Sequence, residues 1–219
     1  MKTVYIATSN PAKVAWAVEQ CAPYDIEIVP ANVELIEPQA DTVAEVSLAK
    51  ARQAWDKLGR DKAVVVEDGG LLIPALQNFP GPYSKYILAT IGIEGILKLM
   101  NGLVDDARYA FYQNAVTFIA ADGTEWQYVT EGYRGHIATR IWPPGDGTMW
   151  SAAWQIFIPL NFDKAMSLFT KTDWDECYKV NNYKPVFTTF AEWYGADAGL
   201  KVNTPPTKPA AGPEAKKTA

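Results

Sequence analysis

The chain has 219 residues, of which 48% are hydrophobic and 21% are charged, and its formal net charge is −5. This length accommodates one large domain or two small ones around a sizeable buried core. The negative charge argues against broad electrostatic binding to nucleic acid or to anionic membranes, so we expect neither as a partner. An anionic ligand would need local lysines or a metal ion.

The distribution of apolar residues and cysteines predicts a cytoplasmic protein. No segment reaches the roughly 18 to 20 apolar residues that span a bilayer, and the apolar start is too short for a signal peptide. Cys21 and Cys177 lie far apart and indicate neither a disulfide framework nor a zinc site. Cys21 fits an apolar helix face, which favours a buried thiol in a reducing compartment.

The first half alternates strands and helices, as α/β proteins do. Asn10-Pro11 has the composition of a helix N-cap and first helical position. Thr42 and Glu45 have the spacing of a capping box. The predicted elements are a strand over 3–8, a helix from Pro11 to about Cys21, an extended segment over 26–35, a helix from about Thr42, and a strand over 63–67.

Four aliphatic residues, 63–66, lead directly into Glu67-Asp68-Gly69-Gly70. The aliphatic run predicts a central strand that is buried on both faces. The two carboxylates then stand at its carboxyl end, where open α/β sheets place ligand crevices. The glycines permit close backbone approach and positive φ. The alternative is a simple turn, because strands often end in Asp-Gly.

The remainder of the chain predicts further strands, helices and loops, and a tail. Ala121-Asp122-Gly123-Thr124 is a hairpin signal between two predicted strands. The chain has a single histidine, His136, and a structural role is its default interpretation. A metal site built from carboxylates is therefore easier to support than one built from histidines. The remaining predictions are a rigid loop at 80–82 with Ser84 capping the next helix, a helix over 93–100, strands over 109–120 and 125–130, a loop over 143–147, a domain spanning 1–203, and a disordered tail over 204–219.

The first candidate binding segment is Thr8-Ser9-Asn10-Pro11-Ala12-Lys13, at a predicted strand-to-helix junction. Free backbone N–H groups and the helix dipole favour an anion at such a junction. Lys13 adds a positive charge, while Thr8 and Asn10 add hydrogen-bond donors. On this segment alone, simple helix capping is the favoured alternative.

Three further segments carry charged residues of the type that phosphates and metal ions need. Glu37 lies in a loop and Lys50 in a helix, and each taken alone is most simply solvated. Pro80-Gly81-Pro82-Tyr83-Ser84-Lys85 is more unusual, because a stiff loop that delivers Lys85 suits a fixed phosphate contact. A turn is the alternative there.

Together these segments resemble the inosine triphosphate pyrophosphatase family. The resemblance covers about residues 3–200 and is strongest in the first half. The matching segments, in order, are Thr-x-Asn-x-x-Lys at 8–13, Glu-x-Gln at 37–39, Ala49-Lys50-Ala51, Val66-Glu67-Asp68, the 80–85 segment, and Thr189-Phe190-Ala191-Glu192.

The resemblance implies Mg²⁺-dependent cleavage of a nucleoside triphosphate to the monophosphate and pyrophosphate. It further implies an α/β fold with a long twisted mixed sheet, flanking helices, two lobes around a cleft, and a possible homodimer. The implied metal ligands are Glu37 and Asp68, the implied catalytic residues are Asp68 and Glu67, and the implied phosphate contacts are Lys13, Lys50 and Lys85 with Thr8 and Asn10. Oxygen ligands suit Mg²⁺, and charge neutralisation suits phosphoryl chemistry.

The chain departs from the family where the base is recognised. The family's Gly-Phe-Gly-Tyr-Asp-Pro-like segment is replaced at 149–157, with Trp154 about where the Asp stands, and its Ser-His-Arg segment is absent around 201–204. We therefore predict a base preference other than inosine or xanthosine, with Trp150 or Trp154 as a stacking face. Core packing is the alternative for either tryptophan. The alternative functions are a catalytically silent nucleotide-binding protein and, with little specific support, an interaction protein.

Overall fold

The computed structural model describes residues 1–145 and 149–195. The predicted end of the domain at 203, the predicted disordered tail and part of the predicted 143–147 loop lie outside these ranges. The strands are β1 (Lys2–Ile6), β2 (Ile26–Pro30), β3 (Val64–Ile73), β4 (Phe79–Gly81), β5 (Tyr109–Ile119), β6 (Glu125–Ile137) and β7 (Phe157–Pro159). The helices are α1 (Pro11–Cys21), α2 (Val43–Lys57), α3 (Ser84–Thr90), α4 (Gly92–Leu99), α5 (Lys171–Val180) and α6 (Val186–Gly195).

The strands form one mixed sheet in the order β2-β1-β3-β5-β6-β7, with β4 paired to the far end of β3. β1 runs parallel to β2 and β3, whereas the other pairings are antiparallel. Helices flank this sheet, so the predicted fold class is confirmed. Among the described helices, none combines the length and apolarity that crossing a membrane requires.

Of the three helix-cap residues read from the sequence, two are confirmed. The Asn10 side chain accepts a hydrogen bond from the Ala12 N–H, and Thr42 forms a reciprocal capping box with Glu45. Ser84 was predicted as a cap and is instead the first residue of α3. Its hydroxyl accepts from the Leu71 N–H and donates to a β4 carbonyl, so it ties α3 to the sheet.

The prediction that the central strand ends at the two carboxylates is wrong. β3 continues to Ile73 because β5 pairs with it antiparallel through Leu72, whereas β1 pairs only with its first two residues. Glu67 and Asp68 therefore lie within a long strand, just beyond the end of β1. The crevice opens at the carboxyl end of β1 and not at the end of β3.

The two glycines after the carboxylates allow close packing and do not make a turn. A Cβ on Gly70 would lie 2.3 Å from the Gly81 carbonyl oxygen, and one on Gly69 would lie 2.8 Å from Asn114 Nδ2. Neither glycine has the positive φ that the sequence allowed for. The pairing of β3 with β4 thus depends on a bare backbone at Gly70.

Other strand boundaries shift because tertiary pairing sets them. β1 and β2 are shorter than predicted, and β6 extends seven residues beyond the predicted end at 130, to Ile137, since its second part pairs with both β5 and β7. His136 lies in that extension, with its ring 6.2 Å from the Tyr109 ring. It does not line the cleft described below.

The central strand is buried on both faces, as the aliphatic run predicts. Val64 and Val66 pack against α2, whereas Val65 packs with Phe187 and Phe190 of α6. Cys21 of α1 is fully buried in the same cluster as Val65, and burial raises the pKa of its thiol to about 12. Helices on both faces therefore hold β3 in place, and with it Asp68, the cleft residue that β3 carries.

The stretch over 161–185 supports the aromatic half of the core. It contains α5, whose Trp174 ring lies 5.0 Å from the Trp154 ring and 5.7 Å from the Tyr133 ring. These contacts place α5 against β6 and the segment around Trp154. The stretch therefore packs behind the wall of the cleft.

Candidate active site

A cleft of about 800 Å³ lies beside the point where β1 ends. Its walls come from the loop after β1, the segment before α2, the middle of β3, the start of α3 and residues 150–153. The predicted site residues that line it are Thr8, Asn10, Lys13, Glu37, Lys50, Asp68, Lys85 and Trp150. The structure thus gathers segments that are up to about 140 residues apart in sequence.

Glu37 and Asp68 converge on one ammonium group. Lys50 Nζ lies 2.9 Å from Asp68 Oδ1 and 3.8 Å from Glu37 Oε2. Lys85 Nζ approaches the same Glu37 oxygen at 3.2 Å from the mouth of the cleft, where its side chain is 70% exposed. The two carboxylates therefore share one position at which a cation is stabilised.

Lys13 is held by the one predicted catalytic carboxylate that does not line the cleft. Its ammonium lies 2.8 Å from Glu67 Oε2 and donates to the Glu67 carbonyl oxygen at 3.2 Å. The other Glu67 oxygen accepts a hydrogen bond of 2.9 Å from Asn114 Nδ2. Both oxygens of Glu67 are thus engaged, which favours a supporting role over proton transfer.

Burial and neighbouring charges set the protonation of the cleft. Burial raises the pKa of Asp68, and the lysines Lys13 and Lys50 oppose this shift without cancelling it. Burial lowers the pKa of Lys13, but the surrounding carboxylates, with Glu67 first, outweigh it and leave that pKa raised. Lys13 therefore stays cationic, whereas burial makes the ionised form of Asp68 less favourable.

The donor set fits a metal ion that the substrate helps to bind. Within 1–145 and 149–195, no group of three or more acidic, histidine or cysteine side chains could hold a metal by itself. Glu37 and Asp68 nevertheless share a cation position, which the Lys50 ammonium takes. Mg²⁺ is commonly bound by one or two carboxylates, with water and phosphate oxygens completing its shell.

The two tryptophans that the sequence proposed as stacking faces are placed differently. Trp150 lines the cleft, with its ring 5.3 Å from Lys13 Nζ. Trp154 is 5% exposed and lies behind Trp150, at a ring separation of 6.1 Å, without lining the cleft. The structure therefore favours core packing for Trp154.

Sequence reasoning missed Asn114 and Tyr112, both on β5. Asn114 holds Glu67, and Tyr112 lines the apolar end of the cleft. Asparagine is depleted in strands, so Asn114 beside the apolar run from Ala115 was a signal of a buried polar contact. No comparable signal marks Tyr112, because tyrosine is ordinary in a strand.

A helix N-terminus with lysines beside it is a kind of site that suits phosphorylated ligands. Residues 4–177 match the model of the Ham1 family, and the chain belongs to that family. The predicted family is thereby confirmed.

Curated relatives and solved structures agree with this assignment. A dITP/XTP pyrophosphatase from Ignicoccus hospitalis is 38% identical over 76% of this chain and 84% of its own length. One from Methanopyrus kandleri is 36% identical over 87% of this chain and 95% of its own length. The predicted enzyme class, nucleoside triphosphate pyrophosphatase, is the one for which these relatives are named.

Solved structures share the fold at low identity. The Staphylococcus aureus Ham1 protein has a TM-score of 0.69 and 21% identity, over 88% of this chain and all of that one. A HAM1 protein from Coxiella burnetii has a TM-score of 0.71 and 19% identity, over 89% of this chain and 98% of that one. The mixed sheet with flanking helices is therefore the fold of these proteins.

Proposed function

We propose that this protein hydrolyses a nucleoside triphosphate to the monophosphate and pyrophosphate. In this reaction a water oxygen bonds to the α phosphorus, and the P–O bond to the bridging oxygen breaks. The bridging oxygen leaves with pyrophosphate, and the water gives up a proton. The names of the curated relatives support this substrate class.

One observation carries the proposal: Glu37 and Asp68, from separate segments, share a cation position in a cleft that three lysines enter. A polyphosphate and its counter-cation need both lysines and carboxylates at one site. Lysines neutralise phosphate oxygens, while carboxylates bind the cation. Surface ion pairs alone would not collect these five side chains at one cleft.

Each cleft residue has a separate role in the proposal. Lys13 and Lys50 contact phosphate oxygens from the floor, and Lys85 contacts them from the exposed rim. Thr8 and Asn10 lie in the loop that leads into α1, whose N-terminal end favours negative charge. Asp68 orients the attacking water and accepts its proton. Glu67 holds Lys13.

Mg²⁺ is the proposed cofactor, with Glu37 and Asp68 as its protein ligands. When bound, it would neutralise charge on the phosphates, which is the main requirement of phosphoryl transfer. The Lys50 ammonium must then leave the shared position, and the phosphate oxygens offer it new partners. Loss of pyrophosphate release on adding EDTA, with recovery on adding Mg²⁺, tests the cofactor.

The base is proposed to occupy the apolar end of the cleft, against Trp150, with a preference other than inosine or xanthosine. Tyr112 Oη and Trp150 Nε1 are buried there without a hydrogen-bond partner among the described residues. Trp154, which the family resemblance puts about where an Asp would stand, offers no carboxylate.

A panel of purine and pyrimidine triphosphates, assayed for pyrophosphate release with Mg²⁺, tests both parts. Release from at least one triphosphate supports the enzyme, and preferred turnover of inosine or xanthosine triphosphate would refute the altered base preference. Binding of a triphosphate without release from any of them would favour the catalytically silent alternative. The homodimer and the cytoplasmic location stay predictions, and light scattering of the purified protein tests the first.

A further inference from the structure

Glu67 is a buried carboxylate whose surroundings are built to hold it. Its side chain is 3% exposed, and a charge buried to this degree is costly unless it is paired and hydrogen-bonded. Lys13 supplies the pairing at 2.8 Å, and Asn114 Nδ2 supplies a hydrogen bond of 2.9 Å to the other oxygen. Removing either partner leaves Glu67 incompletely compensated.

The Asn114 amide sits in a slot between two glycines of neighbouring strands. A Cβ on Gly69 of β3 would lie 2.8 Å from Asn114 Nδ2, and one on Gly132 of β6 would lie 3.0 Å from Asn114 Oδ1. Asn114 is 7% exposed. The bare backbone on both sides thus makes room for this side chain and limits its orientations.

Lys13 depends on this arrangement because its own side chain is long and flexible. Two contacts to Glu67, at 2.8 Å and 3.2 Å, and the Trp150 ring at 5.3 Å fix its ammonium. An ammonium has three donors, so with two directed at Glu67 the third is available to a ligand. The direction of that third donor follows from the position of Glu67.

We propose that Asn114 is a positioning residue: it fixes the Glu67 carboxylate, which holds the Lys13 ammonium at the phosphate end of the cleft. Asn114 touches neither the cleft nor the reacting atoms and acts only through these two residues. Glu67 is accordingly a holder of Lys13 and not a base. The inference rests on the proposed function for the identity of the ligand that Lys13 meets.

The test is a double-mutant cycle between Asn114 and Lys13. N114A removes the donor, and N114D replaces it at the same size with an acceptor that repels Glu67. Each should raise KM for the triphosphate about tenfold, the size expected from losing one hydrogen bond to a charged group, with a smaller change in kcat. K13Q, which keeps a donor for Glu67, should have an effect at least as large.

The coupling between the Asn114 and Lys13 substitutions distinguishes a residue that acts through Lys13 from one whose loss has an independent effect. N114A/K13Q should bind and turn over triphosphate within about twofold of K13Q alone, because residues that act through one another are not additive. Full additivity of the two effects would overturn the inference. T117V is the matched control: Thr117 is a fully buried polar residue of the same strand, bonded to Ser47, and should change KM less than about twofold.

A crystal structure of N114A decides the question independently of activity. Lys13 Nζ should move away from Glu67 Oε2 in the variant. An unmoved Lys13 would refute the positioning role even if the variant is inactive. A wild-type protein that releases no pyrophosphate, together with a displaced Lys13 in N114A, would instead refute only the proposed function.

Discussion

Lys50 Nζ lies 2.9 Å from Asp68 Oδ1, and the same nitrogen is 3.8 Å from Glu37 Oε2. The three side chains are each less than a fifth exposed, so this charge arrangement is only weakly screened by solvent. A divalent cation that binds both carboxylates must displace the ammonium. We therefore predict that Lys50 competes with the proposed metal ion for the two carboxylates in the absence of nucleotide.

K50M should bind Mn²⁺ or Mg²⁺ at least about tenfold more tightly than wild type when no nucleotide is present, a gain of about 1.4 kcal/mol. Isothermal titration calorimetry measures this directly. K85M is the control, because Lys85 contacts Glu37 more closely but from an exposed position, and it should change affinity less than about threefold. Unchanged or weaker metal binding in K50M would contradict the competition.

D68N should lower kcat for pyrophosphate release by about 10²- to 10⁴-fold, the range for loss of a general base. Because Asn keeps the size of Asp, far-ultraviolet circular dichroism should match wild type. D56N, which breaks the exposed ion pair between Asp56 of α2 and Arg60, should leave activity unchanged. Wild-type turnover by D68N would remove Asp68 from the reaction.

The parts of the fold and site that local sequence determines were predictable. Asn10 and Thr42 cap helices through bonds to residues two or three positions away, so their signals lie within a few letters. The cleft residues were predictable for a different reason, namely the order of motifs shared with a family. Neither kind of inference required knowledge of strand pairing.

What depends on distant pairing was not predictable from the sequence. β3 continues through Asp68 because β5, more than forty residues later, supplies its antiparallel partner. The slot around Asn114 needs the register of three strands at once, with Gly69 opposite it on β3 and Gly132 on β6. A single residue of slippage would turn Asn114 to the other face of the sheet.

Asp173 gives a pH-dependent prediction far from the cleft. It closes the capping box of α5 with Thr170 and pairs with Lys164 at 2.8 Å. The Lys164 hydrogen bond, with those from Thr170, lowers the pKa of Asp173 to about 2. A lowered carboxyl pKa stabilises the folded state above the unfolded pKa of about 3.9, and this contribution is lost as pH falls towards 2.

D173N should therefore lower the Tm at pH 7 and have little effect near pH 2, where the wild-type carboxyl is itself becoming protonated. At neutral pH the expected loss is about 0.5–1 kcal/mol, typical of a helix cap. Thermal unfolding of both proteins at the two pH values measures it. An equal Tm difference at both would show that the ionised carboxylate is not the source.

Arg108 joins the end of α4 to the end of β6 from a buried position. Its guanidinium donates to the carbonyl oxygens of Met100 at 3.0 Å, Leu103 at 3.1 Å, Ile137 at 2.6 Å and Ala138 at 2.5 Å. Burial lowers the pKa of this arginine, so the four carbonyls compensate a group that is costly to bury. The guanidinium in turn supplies these carbonyl oxygens with hydrogen-bond donors.

R108M should lower the free energy of unfolding by about 3 kcal/mol or more, because it leaves several carbonyls without a donor. R108K keeps the charge but offers three donors in place of five, and should fall between R108M and wild type. Urea unfolding measures both. R52M, which removes the exposed pair of Arg52 with Glu125, should cost at most about 1 kcal/mol. If R108M were no more destabilising than R52M, the carbonyl contacts of Arg108 would not be what joins α4 to β6.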